Sequence, residues 1–218
     1  MIALEQVVKY SRSPKGKPQL LLDSITYAFM EGQHTGILGL SGAARMAFMN
    51  LLCGRTQPDK GRVYRMARVS WPIGYFGGFA PGQTGRENLR FICRLYGADF
   101  EKVTDFVDEF TGLGANLDVN EVKYPRKTKA AFAFATCLAM GFDYYVIDEN
   151  FAGNDRAFRQ KAWQLLERIS SRATLIIIAD NEALVQKYCG NIVVFKRGKL
   201  LSFTIPQDAI LHYKEMQH

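Results

Sequence analysis

The pattern of apolar and polar positions predicts alternating strands and helices in the first quarter of the chain. Residues 1–10, MIALEQVVKY, alternate with the period of a strand, and LLLDSITYAFMEG (20–32) is a second strand region. The intervening SPKGKP (13–18) has the composition of a hairpin turn. HTGILGL (34–40) is a short apolar run suited to a buried strand, and RMAFMNLLCG (45–54) has helical spacing. A glycine-containing loop therefore connects a buried strand to a helix.

The middle of the chain predicts a return to the sheet followed by a set of helices. Residues 60–80 are rich in β-forming residues and glycine. From Thr84 to about Met140, apolar residues recur at three and four positions, in GRENLRFICRLYG, FEKVTDFVDEFTGL and KTKAAFAFATCLAM. We interpret residues 84–140 as a helical lobe inserted into the domain.

The last third of the chain alternates between strands and helices again. FDYYVIDEN (142–150) and TLIIIADN (174–181) are buried strands, and the amphipathic helix RAFRQKAWQLLERIS lies between them. The helix ALVQKYC and the hairpin NIVVFKRGKLLSFT follow. This alternation predicts an α/β fold with a mostly parallel core sheet and right-handed crossovers. We expect a single domain over 1–218, whose core takes in about 1–83 and 141–218.

Composition is that of an ordinary globular protein, with 48% hydrophobic and 22% charged residues. No apolar run approaches the roughly 20 residues needed to cross a bilayer. Glu5 lies where the centre of a signal peptide would be apolar, so we expect a cytoplasmic protein. The cysteines show no CxxC spacing, which predicts reduced, mostly buried thiols and no metal site: Cys53, Cys93, Cys137 and Cys189.

Two segments carry candidate phosphate chemistry. In GLSGAARMA (39–47), glycines would allow successive backbone N–H groups to converge on an anion. About a hundred residues later, an apolar strand ends in Asp148 and Glu149. Such a pair can hold a metal ion through water and polarise an attacking water molecule. Each motif is weak alone, but their order and separation, with a helical insertion between them, are more specific.

Longer stretches carry a resemblance to a known family. SWPIGYFGGFAPGQTGRENLRFICRLYG (70–97), together with FDYYVIDE, CGNIVVFK and LHYKE, resembles the nucleotide-binding subunits of ATP-binding cassette (ABC) transporters that energise capsular polysaccharide export. The resemblance extends over nearly the whole chain. It implies the P-loop NTPase-like ABC ATPase fold, with an N-terminal antiparallel β part and an inserted helical lobe.

The resemblance also implies cofactors and partners. The cofactors would be ATP and Mg²⁺, and the partner would be the transmembrane subunit of a polysaccharide exporter. Members of the family pair head to tail, so a homodimer or a heterodimer with another ABC subunit is expected. The protein would be peripheral on the inner, cytoplasmic face of the bacterial plasma membrane.

The resemblance assigns nucleotide contacts to the glycine loop and the strand end, at Gly39, Ser41, Gly42, Ala43, Ala44, Arg45, Met46 and Asp148. Three of these positions depart from the family. Ala44 stands where the family has its third loop glycine, Arg45 where it has a lysine, and Met46 where it has a magnesium-binding hydroxyl. Arginine keeps the charge of lysine but not its shape. We therefore expect impaired binding of Mg-ATP and interpret Glu149, the counterpart of the catalytic glutamate, as vestigial.

Other functional positions of the family are also altered. The glutamine expected after GGF is Ala80, the switch histidine is Asp180, and the adenine-stacking aromatic expected near residue 11 is Ser11. The signature loop, which in the family caps the phosphate held by the opposite subunit, is replaced by Tyr124, Pro125, Arg126, Lys127 and Thr128. Proline removes a backbone donor, and the bulky side chains prevent the close approach that glycine allows.

The retained acids suggest what replaces the phosphate. The glycine loop and the acidic strand end lie side by side in folds of this type. We therefore predict that Arg45 forms a salt bridge with Asp148, Glu149 or Asp180 and fills the phosphate space with an internal counter-charge.

Three functions are compatible with these residues. The first is a degenerate ABC-type subunit of a polysaccharide export system, a pseudo-ATPase with a structural or regulatory role. The second is an active ATPase that tolerates the substitutions. The third is an adaptor or polyanion-binding module, favoured by the net charge of +7 and by Arg126, Lys127 and Lys129, although such a cluster is also typical of a solvated helix face. No specific nucleic-acid partner is expected.

Overall fold

The computed structural model describes residues 1–11, 17–73 and 78–217, which fall into two compact units. The first unit comprises Met1–Pro72, Asp143–Glu149 and Leu166–His218, and the second comprises Ile73–Phe142 and Asn150–Leu165. The helical lobe predicted over 84–140 lies within the second unit. Most of the turn predicted over 13–18 lies outside the described residues.

The first unit contains two sheets. The strands, in chain order, are β1 (Ile2–Tyr10), β2 (Leu20–Phe29), β3 (Thr35–Leu38), β4 (Lys60–Arg65), β5 (Tyr144–Asp148), β6 (Thr174–Ile178), β7 (Asn191–Lys196) and β8 (Lys199–Ser202). The smaller sheet is antiparallel with the order β2-β1-β4, and the larger has the order β5-β6-β3-β7-β8. Helices α1 (Gly42–Leu52), α6 (Glu182–Tyr188) and α7 (Pro206–Glu215) belong to the same unit.

The larger sheet determines where the functional segments meet. Strands β5, β6, β3 and β7 are parallel, and β8 closes the edge as the antiparallel partner of β7. All four residues of β3 are buried. A Cβ on Gly36 would lie 2.0 Å from Val185 Cγ1, so only glycine permits α6 to pack this closely on β3. Because the carboxyl ends of parallel strands share one edge, the segments that follow β3, β5 and β6 converge there.

Residues 60–80 return to the sheets only in part. The segment Lys60–Arg65 forms β4 and pairs with β1 in the antiparallel sheet. Further along, Val69 makes an isolated parallel bridge to Tyr144. Ser70 Oγ accepts a hydrogen bond from the backbone N–H of Val146 at 3.0 Å. The β-rich composition of this stretch therefore predicts sheet contacts correctly, although among its described residues, 60–73 and 78–80, only the first six form a strand.

The second unit is helical, as predicted, with α2 (Gly85–Tyr96), α3 (Phe100–Thr111), α4 (Arg126–Ala139) and the first part of α5 (Arg156–Ile169). Thr84 and Glu87 form a capping box at the start of α2. Residues 150–165 join this unit through aromatic packing. The rings of Phe134 and Phe151 stack with centroids 5.3 Å apart, and Trp163 meets Phe151 edge-on.

The cysteines have the predicted environment. Cys93, Cys137 and Cys189 are buried, and Cys53 is half-buried. Burial raises the pKa of Cys189 to about 12. At pH 8 the folded protein should therefore alkylate at Cys189 at least about 100-fold more slowly than an exposed thiol, because the thiolate is the reactive form. Mass spectrometry after iodoacetamide treatment measures this rate, with the denatured chain as the control; rapid alkylation of the folded protein would contradict the expectation.

Candidate functional site

The glycine loop leads from β3 into α1 along the path that the sequence predicts. Gly39 has a φ of +84°, and a Cβ there would lie 2.6 Å from the carbonyl oxygen of Phe195. The position therefore requires glycine on two grounds. Ser41 is the N-cap residue of α1, but its side chain makes no capping hydrogen bond. The first turn of α1 contains no acidic residue.

Arg45 lies on the buried face of α1 rather than in solvent. Phe48, Met49 and Leu52, at three, four and seven positions further on, are buried on the same helix. The side chain of Arg45 is only 10% exposed. Its neighbour Met46 is 52% exposed, at the position that carries a hydroxyl in the resembling family.

The guanidinium of Arg45 is bonded on each of its nitrogens. Nε donates to the carbonyl oxygen of Leu40 at 2.6 Å. Nη1 lies 3.3 Å from Asp148 Oδ1 and 3.9 Å from Glu149 Oε1. Nη2 donates to Asp180 Oδ2 at 2.6 Å. The predicted ion pair is therefore confirmed, and it involves all three candidate acids rather than one of them.

The three acids are held in place by other groups as well. Glu149 accepts hydrogen bonds from the backbone N–H groups of Asp180, at 2.7 Å, and Asn181, at 3.2 Å. The hydroxyl of Tyr213 donates to Asp180 Oδ1 at 3.4 Å. Burial raises the pKa of the Tyr213 phenol, and the charge of Asp180 raises it further. The ends of β5 and β6 and the helix α7 are thus joined around one arginine.

The cluster around Arg45 carries a negative formal charge. One guanidinium (+1) faces three carboxylates (−3), which leaves a formal charge of −2. A triphosphate would bring further negative charge into a partly buried region, where electrostatic interactions are stronger than in water. The arginine that could attract an anion already donates a hydrogen bond to a protein oxygen from each of its three nitrogens. The loop from β3 into α1, with Gly39, Ser41, Gly42, Ala43 and Ala44, thus lies beside a cluster with a negative formal charge.

The residues present do not fit a magnesium ion. The thioether of Met46 is a weak ligand for this hard cation, which prefers oxygen. Asp148, the second expected contact, pairs with Arg45. Among the described residues, no cluster of three or more histidine, cysteine, aspartate or glutamate side chains is arranged to hold a metal ion.

The segment that replaces the signature loop lies in the second unit, at the start of α4. Tyr124 is buried, and its hydroxyl donates to the carbonyl oxygen of Asn116 at 2.8 Å. Pro125 is the N-cap residue and provides no capping hydrogen bond. Arg126 and Lys127 are exposed, and Thr128 is half-buried.

The basic residues around α4 are partly neutralised. Lys127 lies 3.8 Å from Asp155 Oδ2, and Lys129 lies 3.5 Å from Glu121 Oε2. Two of the three cations named for polyanion binding therefore have carboxylate partners. This pairing favours the interpretation of the cluster as a solvated helix face.

Two other predicted positions have hydrogen-bond partners close to them in sequence. The backbone N–H of Ala80 donates to Asn88 Oδ1 at 2.7 Å within the second unit. Ser11 pairs with Gln19 at the end of β1, where its hydroxyl accepts from the Gln19 N–H at 3.0 Å. Neither residue offers the amide side chain or the aromatic ring expected of its position.

Sequence reasoning missed three contributors to this site: the carbonyl of Leu40, the backbone of Asn181, and Tyr213. The sequence of α7 contains a signal for Tyr213. In PQDAILHYKE, Pro206 occupies the first helical turn, and Ala209, Ile210 and Tyr213 share one buried face. Backbone groups such as the Leu40 carbonyl leave no trace in side-chain patterns.

Comparison with known proteins decides the family. The chain is 34% identical over 217 residues to the capsule polysaccharide export ATP-binding protein CtrD of Neisseria meningitidis serogroup B, covering 99% of this chain and 100% of that protein. It is 35% identical over 218 residues to the ATP-binding protein BexA of Haemophilus influenzae, with full coverage of both. The chain belongs to the family of ABC transporter ATP-binding subunits. Within that family, its relatives at this level of identity include capsule polysaccharide export proteins, which confirms the resemblance found in the sequence. No family model matches the chain.

Solved structures of ABC cassettes confirm the fold class. The ATP-binding subunit of an ABC transporter superposes with a TM-score of 0.77 at 15% identity, covering 98% of this chain and 99% of that one. A dimeric post-hydrolysis state of the cassette MJ0796, bound to ADP and Pi, gives a TM-score of 0.75 at 18% identity, with coverage of 93% and 98%. Within residues 1–11, 17–73 and 78–217, no helix combines the length and apolar character needed to cross a membrane.

Proposed function

We propose that this ABC cassette is a degenerate subunit of a capsule polysaccharide export system, with a structural or regulatory role. It binds Mg-ATP weakly and hydrolyses it slowly or not at all. CtrD of Neisseria meningitidis, a capsule polysaccharide export protein, matches over its entire length, which supports the transport system. The state of the nucleotide site supports the loss of activity.

The observation that carries this proposal is the bonding of Arg45. In an active cassette, a lysine from this loop reaches the terminal phosphates, and a hydroxyl holds the metal ion. Here the corresponding cation is directed at Asp180 Oδ2 and Asp148 Oδ1. Binding a nucleotide would require these charge-assisted bonds to break while Asp180 and Glu149 repel the incoming phosphates. Loss of a single transition-state contact typically costs about 3 to 4 kcal/mol, and several contacts are altered together.

Pairing with another cassette would not restore a site that uses this chain. In a head-to-tail dimer, one site would contain the Arg45 cluster, and the other would receive Pro125 and Arg126 in place of a signature loop. We propose that the subunit is a structural part of a homodimer or heterodimer and does not itself hydrolyse ATP there. A structural neighbour, the cassette MJ0796, is itself dimeric.

The remaining partner is a membrane protein. We propose that the subunit is peripheral on the inner face of the bacterial plasma membrane and docks on the transmembrane subunit of the exporter. Residues 71–94 correspond to the region that faces this partner in the resembling family. Where an intact partner cassette is present, ATP and Mg²⁺ would bind to the phosphate loop of that partner.

Titration calorimetry with Mg-ATP, together with a phosphate-release assay, tests the loss of nucleotide chemistry. We expect a Kd weaker than about 1 mM, which corresponds to roughly −4 kcal/mol of binding free energy. Phosphate release should be no faster than that of the Glu149→Gln variant, which lacks the retained carboxylate. Any release that survives this substitution comes from a contaminating enzyme.

Other results would select the competing functions. Micromolar binding, with phosphate release that Glu149→Gln abolishes, would establish an active ATPase. Steeply salt-dependent binding of a polyanion such as heparin, lost in Arg126→Gln/Lys127→Gln, would support a polyanion-binding module.

A further inference from the structure

The C-terminal helix α7 contacts the arginine cluster through one carboxylate. The two oxygens of Asp180 have different partners: Oδ2 accepts from Arg45 Nη2 at 2.6 Å, and Oδ1 accepts from the hydroxyl of Tyr213 at 3.4 Å. Tyr213 is 5% exposed and lies on the buried face of α7. The carboxylate of Asp180 is thus the bridge between α1 and α7.

Tyr213 also lies against the start of the glycine loop. A Cβ on Gly39 would be 3.6 Å from Tyr213 Cε2, which is van der Waals distance. The next residue of α7, Lys214, pairs with Glu182 at 3.1 Å, two residues after Asp180. Two successive residues of α7 therefore contact the residues after β6, and the ring of Tyr213 lies near the backbone at Gly39.

Asp180 needs such a contact to keep its orientation. Its side chain is 51% exposed, whereas that of Arg45 is 10% exposed. An exposed carboxylate can turn to water, and fixing its rotamer costs conformational entropy. The Tyr213 hydroxyl offsets this cost, since it favours the rotamer in which the second oxygen meets the guanidinium. The hydroxyl of a tyrosine can donate a hydrogen bond to a carboxylate oxygen, which is the role it has here.

We propose that Tyr213 of α7 is a positioning residue that holds Asp180 against Arg45. We call this arrangement of Tyr213, Asp180 and Arg45 the clasp. While it is intact, the guanidinium stays paired and the glycine loop stays closed to anions. The C-terminal helix thereby stabilises the arginine cluster from within the same chain. This inference rests on the proposed function, because it presupposes that the cluster blocks the phosphate space.

A double-mutant cycle without nucleotide tests the clasp. Tyr213→Phe removes only the hydroxyl, and urea unfolding should show an equilibrium constant about fivefold less favourable in the wild-type background. In an Arg45→Met background, Asp180 has lost its ion pair, and the same change should alter the constant less than about twofold. Lys214→Met is the matched control, and its effect should be equal in both backgrounds. If Arg45→Met does not fold, Asp180→Asn takes its place in the cycle.

Hydrogen exchange gives a second readout that a general packing role would not produce. In Tyr213→Phe, amide exchange should accelerate in residues 39–47 and 180–182, while β1 and β2 keep the wild-type rates. Equal effects of Tyr213→Phe in both backgrounds, or unchanged exchange in the glycine loop, would overturn the clasp. Both measurements are independent of ATP, so tight ATP binding would refute the proposed function without deciding the result of the cycle.

Discussion

Replacement of Arg45 by methionine should lower the free energy of unfolding by about 2 to 3 kcal/mol. Removing one partner of a buried ion pair typically costs about 3 to 5 kcal/mol, because the other charge is left without compensation. Here the acids are partly exposed, with side-chain exposures of 21% for Asp148, 14% for Glu149 and 51% for Asp180, and solvent screening reduces the cost. Three carboxylates would then face one another without a cation. Urea unfolding followed by circular dichroism measures the change.

The matched control for this prediction is Arg126→Met. It removes the same charge from an exposed position at the start of α4 and should change stability by no more than about 0.5 kcal/mol. Equal stabilities of the Arg45→Met variant and the wild type would mean that the ion pairs merely offset their desolvation. In that case, the cluster would be no obstacle to nucleotide.

Rebuilding the loop should restore nucleotide binding. The variant Ala44→Gly/Arg45→Lys/Met46→Ser, combined with Asp180→His, should bind Mg-ATP at least about 30-fold more tightly than the wild type, a gain of about 2 kcal/mol. The guanidinium leaves the phosphate space, an ammonium and a hydroxyl become available, and one repelling carboxylate is removed. Titration calorimetry measures the affinity. Hydrolysis should stay slow, because Pro125 and its neighbours still replace the signature loop.

The single variant Asp180→His separates the contribution of residue 180 from that of the three loop substitutions. It removes the shortest ion pair of the cluster but leaves Arg45 bonded to Leu40 and Asp148. Its affinity for Mg-ATP should therefore rise by less than about threefold. If the rebuilt loop bound no better than the wild type, the cause of weak binding would lie outside residues 39–47 and 180.

Sequence patterns predicted most of the elements and the key ion pair. Short apolar runs such as TLIII and YYVID are buried on both faces of a parallel sheet and have few alternative interpretations. The order of these strands along the chain places the glycine loop, Glu149 and Asp180 at one edge. A lone arginine among acids then has obvious partners. This reasoning worked because it depended on topology and charge rather than on exact side-chain positions.

Other features were beyond prediction because they depend on contacts distant in sequence. The inclusion of 150–165 in the second unit follows from the stacking of Phe151 on Phe134. The sequence of α7 contains a signal for its buried face, but the contact of that helix with the cluster depends on where Tyr213 meets Asp180, 33 residues earlier in the chain.

The sequence by itself determined the family and the alternation of strands and helices, and it placed Ala44, Arg45 and Met46 where the resemblance leads us to expect a glycine, a lysine and a magnesium-binding hydroxyl. These properties depend on residue identity and local spacing. Only the tertiary structure decided that Arg45 meets all three acids, that the Leu40 carbonyl accepts a hydrogen bond from Arg45 Nε, and that Tyr213 of α7 reaches Asp180. The reason is that residue charge and the spacing of apolar residues decide which elements form and which groups can attract one another. The packing of the helices on the sheet decides which of those groups come within bonding distance.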